Sequence, residues 1–77
     1  MSGRFVFEGF TVCNDDVEKC RKFDVYVNVF NGLVLSVEIM YPRTILPAAP
    51  IFTETQFVTL FPGGQDIINN ALESYPN

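Results

Sequence analysis

Cys13 and Cys20 bracket the carboxylates Asp15, Asp16 and Glu18, and this short stretch is where the chain could do chemistry. The basic neighbours Lys19, Arg21 and Lys22 would favour a reactive thiolate at Cys20. Three acids in one loop could in principle bind a cation. They lack the alternating ligands and the turn glycine of a calcium loop, so no metal site is expected. Two cysteines without histidine cannot by themselves complete a tetrahedral zinc site. A Cys13–Cys20 bridge is open to the chain if a loop brings the pair together. Two cysteines are too few to staple a secreted fold, and the thiols are read as reduced.

Histidine is absent altogether. That removes the commonest general base and both the Ser-His and Cys-His nucleophile pairs. A glycosidase-like carboxylate pair needs a deep cleft, which a chain this short can hardly form alone. The expectation is a protein that is not an enzyme, with no catalytic residues and no cofactor. Gly63-Gly64-Gln65 matches the tripeptide that peptide-chain release factors use. Here it leads into an acidic amphipathic helix and is read as a helix-initiating turn.

The elements that must position any site begin with a strand over residues 4–13. Phe5 and Phe7 share one face, whereas Phe10 and Val12 fall out of phase by one residue. An extra residue at Gly9 would bring all four onto one face, so a bulge is expected there. Residues 14–22 read as a solvated connection.

Residues 23–41 carry the clearest period-two signal. Phe23, Val25, Val27 and Val29 alternate with Asp24, Tyr26 and Asn28, and Asn31-Gly32 marks a hairpin. A regular two-residue loop would set Val27 against Ser36 and Val25 against Glu38. A three-residue loop, Phe30-Asn31-Gly32, pairs Val29 with Leu33, Val27 with Leu35, Val25 with Val37 and Phe23 with Ile39. The second register is expected because each pair is then apolar. It leaves Phe30 at the tip and sets Asp24 opposite Glu38, where like charges repel.

Residues 42–52 are apolar but interrupted by Pro42, Pro47 and Pro50, which excludes a helix or a central strand. They either pack across the core or present a binding surface. Residues 53–61 are read as a strand from their Thr, Phe and Val content, although Thr53 and Gln56 have capping-box spacing. Residues 65–75 form an amphipathic helix with Ile67, Ile68, Ala71, Leu72 and Tyr75 on one face, and Pro76 ends it. The expected fold is one α+β domain over residues 1–77. It has a small antiparallel sheet of three to four strands around the central hairpin 23–41, with one C-terminal helix packed on one face.

Eight Phe and three Tyr in 77 residues are a heavy aromatic load for so small a core, and some rings are expected on the surface. The net charge of −4 disfavours direct nucleic-acid binding and an anionic membrane surface. No segment reaches the length of a transmembrane helix. With no leader segment evident, a cytoplasmic location is expected.

Small size, acidic charge, many aromatics and missing catalytic groups point to a binding module. In this profile the chain resembles small phage-encoded proteins that disable host machinery, anti-CRISPR proteins among them; no motif is shared. The resemblance implies an inhibitor or modulator of a larger, nucleic-acid-handling complex in the host-cell cytoplasm, with a protein partner that offers a basic surface. The expected contacts are the acids Asp15, Asp16, Glu18, Asp24 and Glu38 and the anchors Tyr26, Phe30 and Met40. The alternative is a self-associating accessory subunit, a homodimer joined through strand edges.

Overall fold

The computed structural model describes residues 2–13, 20–40 and 51–76. Four strands, β1 (Ser2–Cys13), β2 (Cys20–Phe30), β3 (Leu33–Met40) and β4 (Ile51–Phe52), form an antiparallel sheet in chain order. Two helices, α1 (Glu54–Leu60) and α2 (Gly64–Ser74), cover one of its faces. The α+β expectation holds, with two helices in place of one.

The register between β1 and β2 shifts between Phe7 and Phe10, and Gly9 adopts φ 72°. This is the bulge that the phase of the phenylalanines requires. Phe5 then pairs with Val27, Phe7 with Val25 and Phe10 with Phe23, all on the helix-covered side. β2 begins at Cys20, so residues 20–22 extend the ladder instead of belonging to a connection.

The hairpin departs from the expected register. Its loop has two residues, Asn31 (φ 49°) and Gly32 (φ 77°), both left-handed as a type I′ turn demands. Phe30 pairs with Leu33 and Val29 with Val34. The ladder then skips Leu35, so that Asn28 faces Ser36, Val27 faces Val37 and Val25 faces Ile39. A bulge at Leu35 thus rescues the short loop: it restores Val37 and Ile39 to the core after the turn has set the register. The consequence is that Leu33 and Leu35, expected inside, lie outside at 68% and 64% exposure.

Residues 53–61 are not a strand. Thr53 Oγ1 accepts the Gln56 amide at 3.1 Å, and Gln56 Oε1 accepts the Thr53 amide at 3.0 Å, completing a capping box. In a strand, Thr55 and Thr59 would share a face with Phe57 and Phe61. In α1 the i, i+4 spacing turns both rings inward and leaves both threonines exposed. Capping and burial together outweigh β-propensity. After Gly63, left-handed at φ 86°, α2 buries Ile67, Ile68 and Ala71 as its periodicity predicts.

Phe57, Phe61 and Phe10 are the centre of an aromatic cluster, with ring centroids 5.3–6.4 Å apart. Phe7, Phe23 and Phe52 join its rim. Seven of the eight phenylalanines are buried or half-buried in the core, and Phe30 is the exception. The core holds more rings than composition suggests because the long β1–β2 pair supplies a wide floor. Among the described residues no polar side chain is buried.

Cys20 is disulfide-bonded and stands opposite Cys13 in the ladder. The reading of reduced thiols is therefore corrected: the antiparallel register brings the two cysteine positions face to face. Any reactive thiolate at Cys20 is removed with it.

Candidate functional site on the open sheet face

With both helices on one side, strand alternation leaves the opposite face of the sheet uncovered by any described element. Cross-strand partners arrange this face in rows. Ser2, Phe30 and Leu33 form the row at the hairpin end. Arg4, Asn28 and Ser36 form the next. Val6, Tyr26, Glu38 and Ile51 form the third, and Asp24 and Met40 stand beyond it.

The middle rows are a preordered polar network. Arg4 Nε donates to Asn28 Oδ1 at 3.0 Å. Asn28 Nδ2 donates to Ser36 Oγ at 3.0 Å and to Glu38 Oε2 at 3.1 Å. Arg4 Nη2 lies 3.4 Å from Glu38 Oε2, and the guanidinium carbon sits 5.6 Å from the Tyr26 ring centroid. Arg4 therefore bonds a carboxylate and rests on an aromatic ring, two interactions that suit a planar cation.

Large apolar side chains surround the network. Phe30, Leu33 and Leu35 are exposed at the hairpin end; Val6, Met40 and Ile51 are exposed around the remainder. A face so built excludes water from its rim when covered and keeps satisfied polar groups at its centre.

The expected site residues divide. Tyr26, Phe30, Glu38, Met40 and Asp24 do share this face. Asp24 and Glu38 are not opposite each other, because the Leu35 bulge sets Asp24 against Met40 and Tyr26 against Glu38. Both acids already have acceptor roles within the chain: Asp24 Oδ1 takes the Gly9 amide at 3.3 Å, and Glu38 takes Arg4 and Asn28. The like-charge repulsion that would have called for a basic contact at this point is absent. Asp15, Asp16 and Glu18 lie outside the described residues. Arg4, Val6, Leu33, Leu35 and Ile51 went unrecognised in the sequence, whereas alternation already places Asn28 on the same face as Asp24 and Tyr26. Their grouping depends on strand order and on the bulge, and only the parity of Arg4 with Val6 hinted at it.

The remaining charge is unevenly placed. Residues 51–76 hold Glu54, Asp66 and Glu73 and neither Lys nor Arg, a net −3 from three acids and no base. No described helix is long and apolar enough to cross a membrane. In comparisons with known proteins, the chain matches no protein family, no curated protein and no solved structure.

Proposed function

We propose that this chain is a non-catalytic protein-binding module that docks through the open face of its sheet and thereby inhibits or modulates a larger complex. The observation that carries the reading is the asymmetry of the sheet. One face is sealed by α1 and α2, while the other presents the exposed Val6, Phe30, Leu33, Met40 and Ile51 around a bonded polar centre, with the exposed Leu35 at the bulge beside them. Large apolar side chains gathered on one exposed face mark interaction sites on folded domains, and here they ring a polar centre whose groups already bond one another. Phe30, Leu33 and Leu35 are the anchor candidates, and the Arg4–Tyr26–Glu38 centre supplies orientation. The net charge of −4 supports a partner with a basic surface, since long-range attraction speeds encounter even where the contact itself is apolar. The phage-encoded anti-defence profile supports the inhibitor role in the same way.

The test is affinity capture from the native host lysate, at low and high salt, with wild type and two variants. Phe30→Ser/Leu35→Ser should lose a stoichiometric partner that wild type retains. Leu60→Ser, which removes an exposed leucine from α1, should keep it. Equal capture by all three proteins would place the interface elsewhere and sink the reading.

A further inference from the structure

The backbone of β1 carries an inference separate from the open face. In a two-residue hairpin the residues flanking the loop exchange both main-chain bonds, so Phe30, Asn28 and Tyr26 turn their amides toward β3. Val29, Val27 and Val25 consequently bond to β1, through Gly3, Phe5 and Phe7. The alternate residues Ser2, Arg4, Val6 and Glu8 must then direct N–H and C=O outward. The Tyr75 hydroxyl, which donates to the Arg4 carbonyl at 3.1 Å, agrees with that assignment. Among the described residues no strand pairs with this edge. The opposite side of the sheet ends in a strand of two residues, whereas β1 runs straight from Ser2 to Glu8 before the Gly9 bulge turns it. A long unpaired edge is a template for another strand.

We propose that β1 pairs antiparallel with β1 of a second copy, about a two-fold axis at Val6, to form a continuous eight-stranded sheet. The register is set by charge. Outward-directed residues must meet outward-directed residues, which allows an axis at any residue from Arg4 to Glu8. An axis at Phe5 sets Arg4 against Val6 and one at Phe7 sets Glu8 against Val6, leaving each charge without a partner. An axis at Arg4 opposes two arginines, and an axis at Glu8 opposes two glutamates. With the axis at Val6, Arg4 meets Glu8 of the second copy and Glu8 meets its Arg4. Val6 meets Val6, two valines at one of the most exposed apolar positions of the strand. On the covered face Phe5 meets Phe7 in both directions, and both rings are half-buried, with apolar surface left to cover. Every pair in this register is either apolar or of opposite charge, the combination that stabilises antiparallel neighbours.

Arg4 can serve both its own network and the second copy. Its guanidinium offers five donors, of which Asn28 and Glu38 engage two. The Arg4 carbonyl has a second lone pair beside the one that Tyr75 uses. Pairing would also place the two open faces side by side as one broad surface. The proposal rests on the strand edge alone, so its failure leaves the docking reading intact.

Sedimentation equilibrium on the purified chain tests it, with circular dichroism to confirm folding. Wild type is expected to dimerise. Val6→Pro removes an outward amide without touching the bonds to β2, and should weaken the dimer about tenfold or more. Arg4→Glu and Glu8→Arg should each weaken it by a similar factor, since each sets like charges opposite each other twice. Mixing those two variants should restore association as a heterodimer, because opposite charges then meet at both positions. A monomeric wild type at about 1 mM would overturn the proposal. So would a dimer that survives Val6→Pro, or a mixture of the two charge variants that stays monomeric.

Discussion

The Tyr75 hydroxyl donates to the main-chain carbonyl of Arg4 at 3.1 Å, which joins the end of α2 to the first strand. The Tyr75 ring occupies the space that a side chain on Gly3 would need. Gly3 is thus the seat of the ring, and β1 and the end of α2 are held together by one aromatic residue.

Gly3→Ala should displace the Tyr75 ring and cost about 1–3 kcal/mol, the usual range for overpacking. Tyr75→Phe keeps the ring and loses the hydrogen bond, at about 0.5–1.5 kcal/mol. Because both act through one contact, Gly3→Ala should cost much less in a Tyr75→Ala background. Urea denaturation of the four proteins gives the cycle. Additive effects would mean that the ring and the glycine are independent.

Gly64 and Gly9 are glycine for different reasons, and substitution separates them. A Cβ at Gly64 would come within 2.7 Å of the fully buried Phe57 ring. Alanine gains about 1 kcal/mol of helix propensity there but meets a packed ring, at about 1–3 kcal/mol. At Gly9 a Cβ meets nothing within 4 Å, and the φ of 72° alone resists it. Gly9→Ala should cost about 1–2 kcal/mol, and Gly9→Asn less, because asparagine tolerates the left-handed region. Phe57→Leu should relieve Gly64→Ala and leave the cost of Gly9→Ala unchanged.

The Cys20 disulfide should contribute to stability chiefly by restricting the unfolded chain. For the short span from Cys13 to Cys20, the loop-entropy relation gives about 2–3 kcal/mol. Thermal unfolding with and without a reductant measures it, with Cys20→Ser as the control that should be insensitive to reductant. A wild-type protein whose melting temperature does not change on reduction would contradict this estimate.

Some of the architecture was legible because single residues broke a pattern. The phase slip of Phe10 and Val12 beside a glycine announced the bulge at Gly9, and Asn31-Gly32 announced the turn. The stripe of Ile67, Ile68 and Ala71 gave α2 directly. Other features hung on a balance between signals. Thr53 and Gln56 carried the capping box of α1 in plain view, but the β-prone Thr55, Val58 and Thr59 argued the opposite way. Burial of Phe57 decided the matter, and burial is a tertiary quantity. Of the open face, Tyr26 and Met40 follow from alternation within the hairpin, and Phe30 from its place beside the Asn31-Gly32 turn. The Arg4–Asn28–Glu38 network does not, since it requires β1 to lie beside β2 in one register.

Leu35 is the residue that misled, and deleting it is the sharpest test of how the hairpin chooses its register. A three-residue loop would keep every pair apolar without irregularity. The chain instead takes the favoured type I′ turn at Asn31-Gly32 and corrects the phase at Leu35, three residues beyond it. Turn geometry therefore outranks regular pairing here, and the hydrophobic pattern is satisfied by a bulge. If so, removing Leu35 leaves Val34 followed by Ser36, with Asn28 still opposite Ser36 and Val27 still opposite Val37. The deletion should change stability by less than about 1 kcal/mol, since it takes away an exposed side chain and an unpaired backbone unit. Cross-strand nuclear Overhauser contacts between Val27 and Val37 should persist. Deleting Glu38, beyond the bulge, should instead carry Ile39 from the core to the open face, at about 2–5 kcal/mol. A Leu35 deletion that unfolds, or that loses the Val27–Val37 pair, would show that the bulge itself holds the register.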